Sequence, residues 1–257
     1  MIPKAKKSLG QHFLHDRQIC QRIVALLQCA PSDRILEIGP GPGALTNILE
    51  ALSPARLLAL EKDPWWAAER NTPRCQAILT DALTFDWSRL DGWKIIGNLP
   101  YNVASPLIWD IVSQSRNLQK AVFMVQKEVG RRIAASPGNK DYGALSVWVQ
   151  YHAKTRLAFT VGPGAFNPPP KVDSAVITLE PVEKRPKNPL RLAALLKICF
   201  QNRRKQIGSI FRRANLPFSL LDGLDPQLRP ENLGVEDFAQ IAEKGRDLLA
   251  AKAQHQA

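Results

Sequence analysis

No stretch of this chain stays apolar for the roughly 18–20 residues that a membrane span needs, so none is expected to cross a bilayer. Cysteine is scarce and scattered: Cys20, Cys29, Cys75 and Cys199 form no Cys-x-x-Cys pair and no His/Cys cluster of metal-ligand spacing. Isolated thiols of this kind predict neither a disulfide framework nor a zinc site, and they suit a reducing compartment. The start of the chain, from Met1 to Leu14, is basic but lacks the apolar core of a secretory signal, which again points to the cytoplasm. Internal repeats are absent too. The last absence is of acid: Lys184–Arg213 contains ten Lys and Arg and no Asp or Glu.

That gap belongs to a wider asymmetry. The chain of 257 residues carries 35 Lys and Arg against 23 Asp and Glu, a net +12. Residues 1–34 contribute +4, residues 35–183 only +1, and residues 184–257 contribute +7. A nearly neutral body with basic ends is the electrostatic footprint of a phosphate-backbone binder. A solvated, solubilising face is the plainer alternative.

The neutral body reads as an α/β domain. Arg34–Gly39 is a buried strand followed by Pro40-Gly41-Pro42-Gly43 and a helical run from Ala44 to Leu52. The glycines let backbone approach a ligand closely at a helix N-terminus, although the spacing is G-x-G-x-G rather than the dinucleotide pattern. A second strand, Leu57–Leu60, ends in Glu61-Lys62-Asp63, which places a carboxylate to accept ribose hydroxyls. A third, Gln76–Leu79, ends in Thr80-Asp81-Ala82, and a fourth, Lys94–Gly97, ends in Asn98-Leu99-Pro100-Tyr101. Ligands in open α/β sheets sit at the carboxyl ends of strands, and four successive ends here carry polar groups suited to one. Asn beside Tyr suits a flat, amine-bearing group, with an amide oxygen to accept N–H and a ring to stack on. A strand followed by a turn with a core tyrosine is the alternative.

Elsewhere, Asp16 is expected to cap a helix whose apolar positions are Ile19, Ile23, Val24 and Leu27. A helix is expected over Ser105–Ser115, capped by Ser105 with Pro106 in its first turn. Strands at Ala121–Val125, Leu157–Val161 and Ala175–Leu179, with helical stretches at Gln126–Ile133 and Tyr142–Gln150, complete the body. The loop from Gly162 to Ser174 is stiffened by prolines and carries Phe166, either a plug for the core or a second stacking surface. Glu180–Pro189 is a Pro- and charge-rich linker, after which Leu190–Ile198, Arg203–Arg213, Leu216–Leu221 and Val235–Leu249 are helical. Two domains are therefore expected, 1–183 and a small, basic, all-α domain at 184–257.

Taken together these segments resemble the ribosomal RNA adenine N6,N6-dimethyltransferase family. The resemblance rests on Lys7-Ser-Leu-Gly-Gln-His-Phe-Leu14, Glu37-Ile-Gly-Pro-Gly41, Glu61-Lys-Asp63, Asp81-Ala-Leu83, Asn98-Leu-Pro-Tyr101 and Gln126-Lys-Glu128. It extends through Tyr142-Gly-Ala-Leu-Ser146, the run from Phe166 to Ser174, and Phe200-Gln-Asn-Arg-Arg-Lys205. It implies a Rossmann-like class I methyltransferase sheet with helices on both faces, S-adenosylmethionine as cofactor, and small-subunit ribosomal RNA as partner. Gly39 and Gly41 would approach the methionine part of the cofactor, Glu61 its ribose, and Asp81 with Ala82 its adenine. His12 and Leu14, on the basic arm, would close over it. The family commonly has Asn at the position of His12. Asn98 would bracket the methyl donor and the target amine, and the Leu99 or Pro100 carbonyl would accept a second N6 hydrogen. Tyr101 and Phe166 would sandwich the extruded base. Lys4, Lys6, Lys7, Arg203, Arg204 and Lys205 would hold RNA.

The activity implied is transfer of methyl groups to N6 of two adjacent adenosines in a 3′-terminal hairpin loop of small-subunit (16S) rRNA, by a monomer without a metal. A role in small-subunit assembly is compatible with it. The rivals are a large-subunit rRNA methyltransferase of the antibiotic-resistance type and a non-catalytic RNA-binding factor on the same scaffold. The long basic arm and the Phe200–Lys205 motif favour the small-subunit enzyme, and the intact Gly39, Gly41, Glu61, Asp81 and Asn98 set disfavours the non-catalytic factor.

Overall fold

A computed structural model describes residue 6 and residues 9–182 and 189–245. Lys4 and Lys7, most of the expected linker, and the end of the helix expected over Val235–Leu249 lie outside the described residues. The chain divides into two compact units, Met1–Gly130 with Lys154–Pro181, and Arg131–Ala153 with Val182–Ala257.

The first unit begins with a two-residue strand β1 (Phe13–Leu14), then helix α1 (Arg17–Leu27). Asp16 caps α1 by accepting from the N–H groups of Gln18 and Ile19, which satisfies two otherwise orphaned donors. The helix buries Cys20, Ile23, Val24 and Leu27, the face its periodicity marks out. Then β2 (Arg34–Ile38), α2 (Thr46–Ala51), β3 (Arg56–Glu61), α3 (Pro64–Arg70) and β4 (Gln76–Leu79) alternate. They are followed by β5 (Lys94–Asn98), α4 (Ala104–Gln114), β6 (Lys120–Gln126) and α5 (Lys127–Ile133), which runs into the second unit. After α6 (Ala144–His152) the chain returns through β7 (Ala153–Val161), the two-residue β8 (Phe166–Asn167) and β9 (Ser174–Pro181).

Seven strands form one sheet in the order β4-β3-β2-β5-β6-β9-β7. From β4 to β6 neighbouring strands are parallel, and β9 inserts antiparallel to β6. Parallel strands covered on both faces must be apolar throughout, and Ile35, Leu36, Ile95, Ile96, Val122, Phe123 and Met124 are all fully buried. The strand order reverses at β2 and β5, so their carboxyl ends open the crevice of a topological switch point. Gly97 permits this pairing to run up to the crevice, because a Cβ there would stand 2.7 Å from the Ile38 carbonyl oxygen.

In the second unit α6 packs with α7 (Pro189–Gln201) and α9 (Val235–Lys244), while α8 (Ile207–Arg213) follows a turn. Tyr142, Phe200 and Phe238 form its aromatic centre. The sequence-based boundary at 183/184 follows the chain, whereas packing also groups Arg131–Ala153 with the C-terminal helices. The cause is that α6 is apolar nearly all round and is covered by α7 and α9.

Several elements differ from expectation. Helix α4 starts at Ala104 with Val103 at its N-cap, so Ser105 lies inside it and is not the cap. Residues 202–206 form a turn, leaving α8 only seven residues long. Phe218–Leu221 is a single 3₁₀ turn. Helix α3 was not expected, although Asp63 before Pro64 is a cap-plus-proline start signal.

Candidate active site

The carboxyl ends of β2, β3, β4 and β5 meet the arm around one cavity. Gly39, Gly41, Glu61, Asp81, Ala82, Asn98, Leu99, Pro100 and Tyr101 all line it, with His12 and Leu14 from the arm. The arm is held at several points. Phe13 and Leu14 pair antiparallel with Asn167 and Phe166. Lys6 Nζ lies 2.8 Å from Asp63 Oδ2. The Phe13 ring meets Trp66 edge-on at 5.6 Å. It also lies over Gly41, whose φ of +47° favours glycine and where a Cβ would stand 3.2 Å from that ring.

Asn98 is fixed by the arm. Its Nδ2 donates to the His12 carbonyl oxygen over 2.9 Å. A carbonyl only accepts, so the amide nitrogen faces the arm and Oδ1 remains available as an acceptor. The Pro100 carbonyl already accepts from Val103 N–H at 3.1 Å, while Leu99 N–H is tied to Met124. The Tyr101 hydroxyl and Ser174 Oγ, the latter fully buried, are 2.6 Å apart. The His12 ring lies against Tyr101 with centroids 5.8 Å apart, and its Nδ1 donates to the Pro168 carbonyl over 2.8 Å.

Three acids shape the other half. Glu61 is 6 % exposed, and its two oxygens accept from Gly41 N–H at 3.1 Å and Asp63 N–H at 2.9 Å. Burial pushes its carboxyl above the usual range, and those backbone donors oppose the rise. Glu37 is buried at the end of β2 and accepts from Thr46 Oγ1 at 2.7 Å. Burial pushes its carboxyl up to about 7, against the Thr46 bond and with help from Glu61. Asp81 is held below the usual range by Lys62, whose Nζ is 2.7 Å from Oδ2, and by Leu83 N–H on Oδ1.

Three expected site residues are engaged elsewhere. Phe166 is 3 % exposed, does not line the cavity, and packs among Leu14, Val161, Ala165 and Val176. It plugs the core and backs the arm instead of offering a stacking face. Arg203 Nε is 2.6 Å from Glu231 and its Nη2 donates to the Lys140 carbonyl, so it ties the second unit together internally. Lys6 likewise has its carboxylate on Asp63. Arg204 and Lys205 are exposed on the turn before α8. Sequence reasoning missed Glu37 and Lys62, which line the cavity, and Asp63, Trp66 and Ser174, which hold Lys6, Phe13 and Tyr101 from behind it. For Glu37 the signal was available, since a carboxylate inside an apolar strand demands a partner or a shifted pKa. Among the described residues no group of three or more His, Cys, Asp and Glu is placed to hold a metal, and no helix is long and apolar enough to cross a membrane.

A parallel sheet with its antiparallel strand inserted next to the last, a glycine turn at the switch point, and acids on the next two strand ends define a class I methyltransferase. Within that class, the family described as "Ribosomal RNA adenine dimethylase" matches residues 2–245, and the chain belongs to it. It is 53 % identical to the "Ribosomal RNA small subunit methyltransferase A" of Nitratidesulfovibrio vulgaris, over 95 % of this chain and 97 % of that one. Among solved structures, a dimethyladenosine transferase from Plasmodium falciparum superposes with a TM-score of 0.79 at 27 % identity, covering 91 % of this chain and 97 % of the other. The 23S rRNA methyltransferase ErmE shares the fold, with a TM-score of 0.69 at 24 % identity over 90 % and 98 % of the two chains. S-adenosylmethionine is the methyl donor of this family, and the sequence-based expectations of fold class and enzyme type agree with these findings.

Proposed function

We infer that the chain dimethylates N6 of two adjacent adenosines in a 3′-terminal hairpin loop of small-subunit ribosomal RNA, acting as a metal-free monomer on immature small subunits in the cytoplasm. The carrying observation is the orientation of Asn98, whose bond to the His12 carbonyl leaves Oδ1 as an acceptor at the cavity. The 53 % identity to an enzyme named for the small subunit favours that target over the large subunit.

The residues present fit S-adenosylmethionine. Glycine at position 41 keeps backbone open beneath the arm, and Glu61 presents a carboxylate already pinned by two backbone donors. Glu61 would hold the ribose hydroxyls. Asp81 and Ala82 would hold the adenine edge, Gly39 and Gly41 the amino-acid end, and His12 and Leu14 would cover the site. When bound, S-adenosylmethionine supplies a methyl group already activated on a sulfonium sulfur.

The remaining barrier lies in the target amine, whose lone pair is delocalised into the ring. Asn98 Oδ1 accepts one N6 hydrogen, and the Leu99 carbonyl, with that of Pro100 engaged by Val103, accepts the other. Two acceptors draw the nitrogen toward tetrahedral geometry and aim its lone pair. Their contribution is orientation and electrostatic fit in a preorganised site. Once methylated, the nitrogen carries a positive charge and gives one proton to water as S-adenosylhomocysteine leaves; a single N–H then remains, so one of the two acceptors suffices for the second transfer. Tyr101 stacks on the base, with its hydroxyl tethered by Ser174. Lys4, Lys6, Lys7, Arg204 and Lys205 would meet RNA phosphates, Lys6 after leaving Asp63.

Methyl transfer from labelled S-adenosylmethionine to purified small and large subunits tests the reading. Label should enter the small subunit only, and Asn98→Ala should cut the rate about 10²–10³-fold. Label in the large subunit, or an undiminished rate in the variant, would refute it.

A further inference from the structure

Among the described residues Phe218 is the one exposed aromatic side chain, with 43 % of it open to solvent. It begins the 3₁₀ turn Phe218–Leu221 and packs along α8, both in the second unit. Its Cε1 stands 3.3 Å from where a Cβ of Gly208 would sit, and the Arg212 guanidinium is 5.8 Å from the ring centroid. Positions 208 and 212 share one face of the helix, so the ring lies along that face from the first turn to the last. The absence of a side chain at Gly208 lets the ring seat one edge there, which holds it while much of its surface stays in water. Cations stand at both ends of α8. Arg204 and Lys205 are exposed on the turn before it, and Arg212 and Arg213 are exposed in its last turn. Among the described residues no carboxylate pairs with any of the four, and the sequence from Lys184 to Leu221 contains no acid. A single exposed apolar side chain is ordinary, but solubility does not account for a seated ring between two pairs of unpaired cations.

We propose that the Phe218 ring is a stacking platform for an unpaired base of single-stranded RNA, with the cations at the two ends of α8 on the neighbouring phosphates. This rests on the reading that RNA is the partner, and adds to it a base site in the second unit. Every base has a π face, so the contact is tolerant of sequence. A helix of seven residues is about 10 Å long, so the two cation pairs flank the ring closely. At 5.8 Å and exposed, the Arg212 contact is at the outer limit of cation–π range, which leaves its guanidinium able to turn to a phosphate. A ring already held against Gly208 loses little freedom when a base settles on it.

The test measures binding of a short single-stranded oligouridylate to the full-length protein by fluorescence anisotropy over a range of salt concentrations. Phe218→Leu keeps an apolar side chain against Gly208 but has no flat face, and Phe218→Trp keeps the face. Phe218→Leu should weaken binding about fivefold to hundredfold, the range of one base–aromatic stack, and Phe218→Trp should stay within a few-fold of wild type. The salt slope should be unchanged in both, whereas Arg212→Gln with Arg213→Gln should make it shallower by about 1.4, or 0.7 for each phosphate contact. Wild-type affinity in Phe218→Leu, or a loss there that comes with a shallower salt slope, would make the ring a structural plug and overturn the proposal. A dimer of the wild type in sedimentation that Phe218→Leu abolishes would assign the ring to a second copy of this chain and overturn it too. Binding is read without S-adenosylmethionine, so a wild type that binds the oligouridylate but does not methylate small subunits overturns the methyl-transfer reading and leaves the platform standing.

Discussion

At the scale of the residue, Asn98 and Glu37 matter in different ways. In the proposed mechanism Asn98 acts by the direction of its amide, which the His12 carbonyl, a group that cannot donate, decides. Glu37 acts through burial. Its carboxyl rises from 4.5 to about 7 because the surrounding strands exclude water. Below pH 4.5 the folded and unfolded chains are both protonated at this group. Between pH 4.5 and 7 the unfolded chain ionises first, so stability falls as pH rises, and above 7 the loss levels off. A rise of that size corresponds to roughly 3 kcal/mol. Glu37→Gln keeps an acceptor for Thr46 and removes the titration. Urea unfolding without cofactor, from pH 4.5 to 8, should show the variant gaining on wild type by about that amount across the window. Parallel stability profiles would show that Glu37 ionises normally in the fold.

At the scale of the element, the arm and the turn before α8 show what the sequence could and could not disclose. Arg203, Arg204 and Lys205 are consecutive cations of one apparent purpose, yet only the fold shows that Arg203 is bound to Glu231 and Lys140. Arg203→Ala should therefore lower stability by about 1–2 kcal/mol in denaturant unfolding. Arg204→Glu with Lys205→Glu should leave stability nearly unchanged and weaken RNA binding, with a log–log salt slope shallower by about 0.7–0.9 for each phosphate left without its cation. The reverse pattern would exchange the roles. The sheet was legible because its strands are continuous apolar runs that end in glycine, acid or amide, a local signal. That Gly41, Glu61, Asp81 and Asn98 line one cavity was legible for the same reason. Phe166 was not, because a phenylalanine on a proline-stiffened loop looks the same whether it faces a ligand or the core. The pairing of Leu14 with Phe166 joins residues far apart in sequence, and no local pattern encodes it. Residues 131–153 were grouped with the catalytic body by position, whereas their packing partners come from beyond residue 189.

At the scale of the whole molecule, charge and chemistry are separated along the chain. The first unit holds a cavity lined by the buried acids Glu37 and Glu61, with Asp81 and the Asn98 amide, while much of the net +12 resides in the ends. A polyanionic partner is thereby attracted without placing cations where a neutral exocyclic amine must be held. The central claim is that this molecule places two methyl groups on each of two neighbouring adenosines of the small subunit. Mass mapping of unmethylated small subunits after incubation with the protein and S-adenosylmethionine tests it most directly. The expected product is a single 3′-terminal fragment heavier by four methyl groups, carried on two adjacent N6,N6-dimethyladenosines. Methyl groups spread over other positions, or a product that stops at N6-monomethyladenosine under excess cofactor, would contradict it.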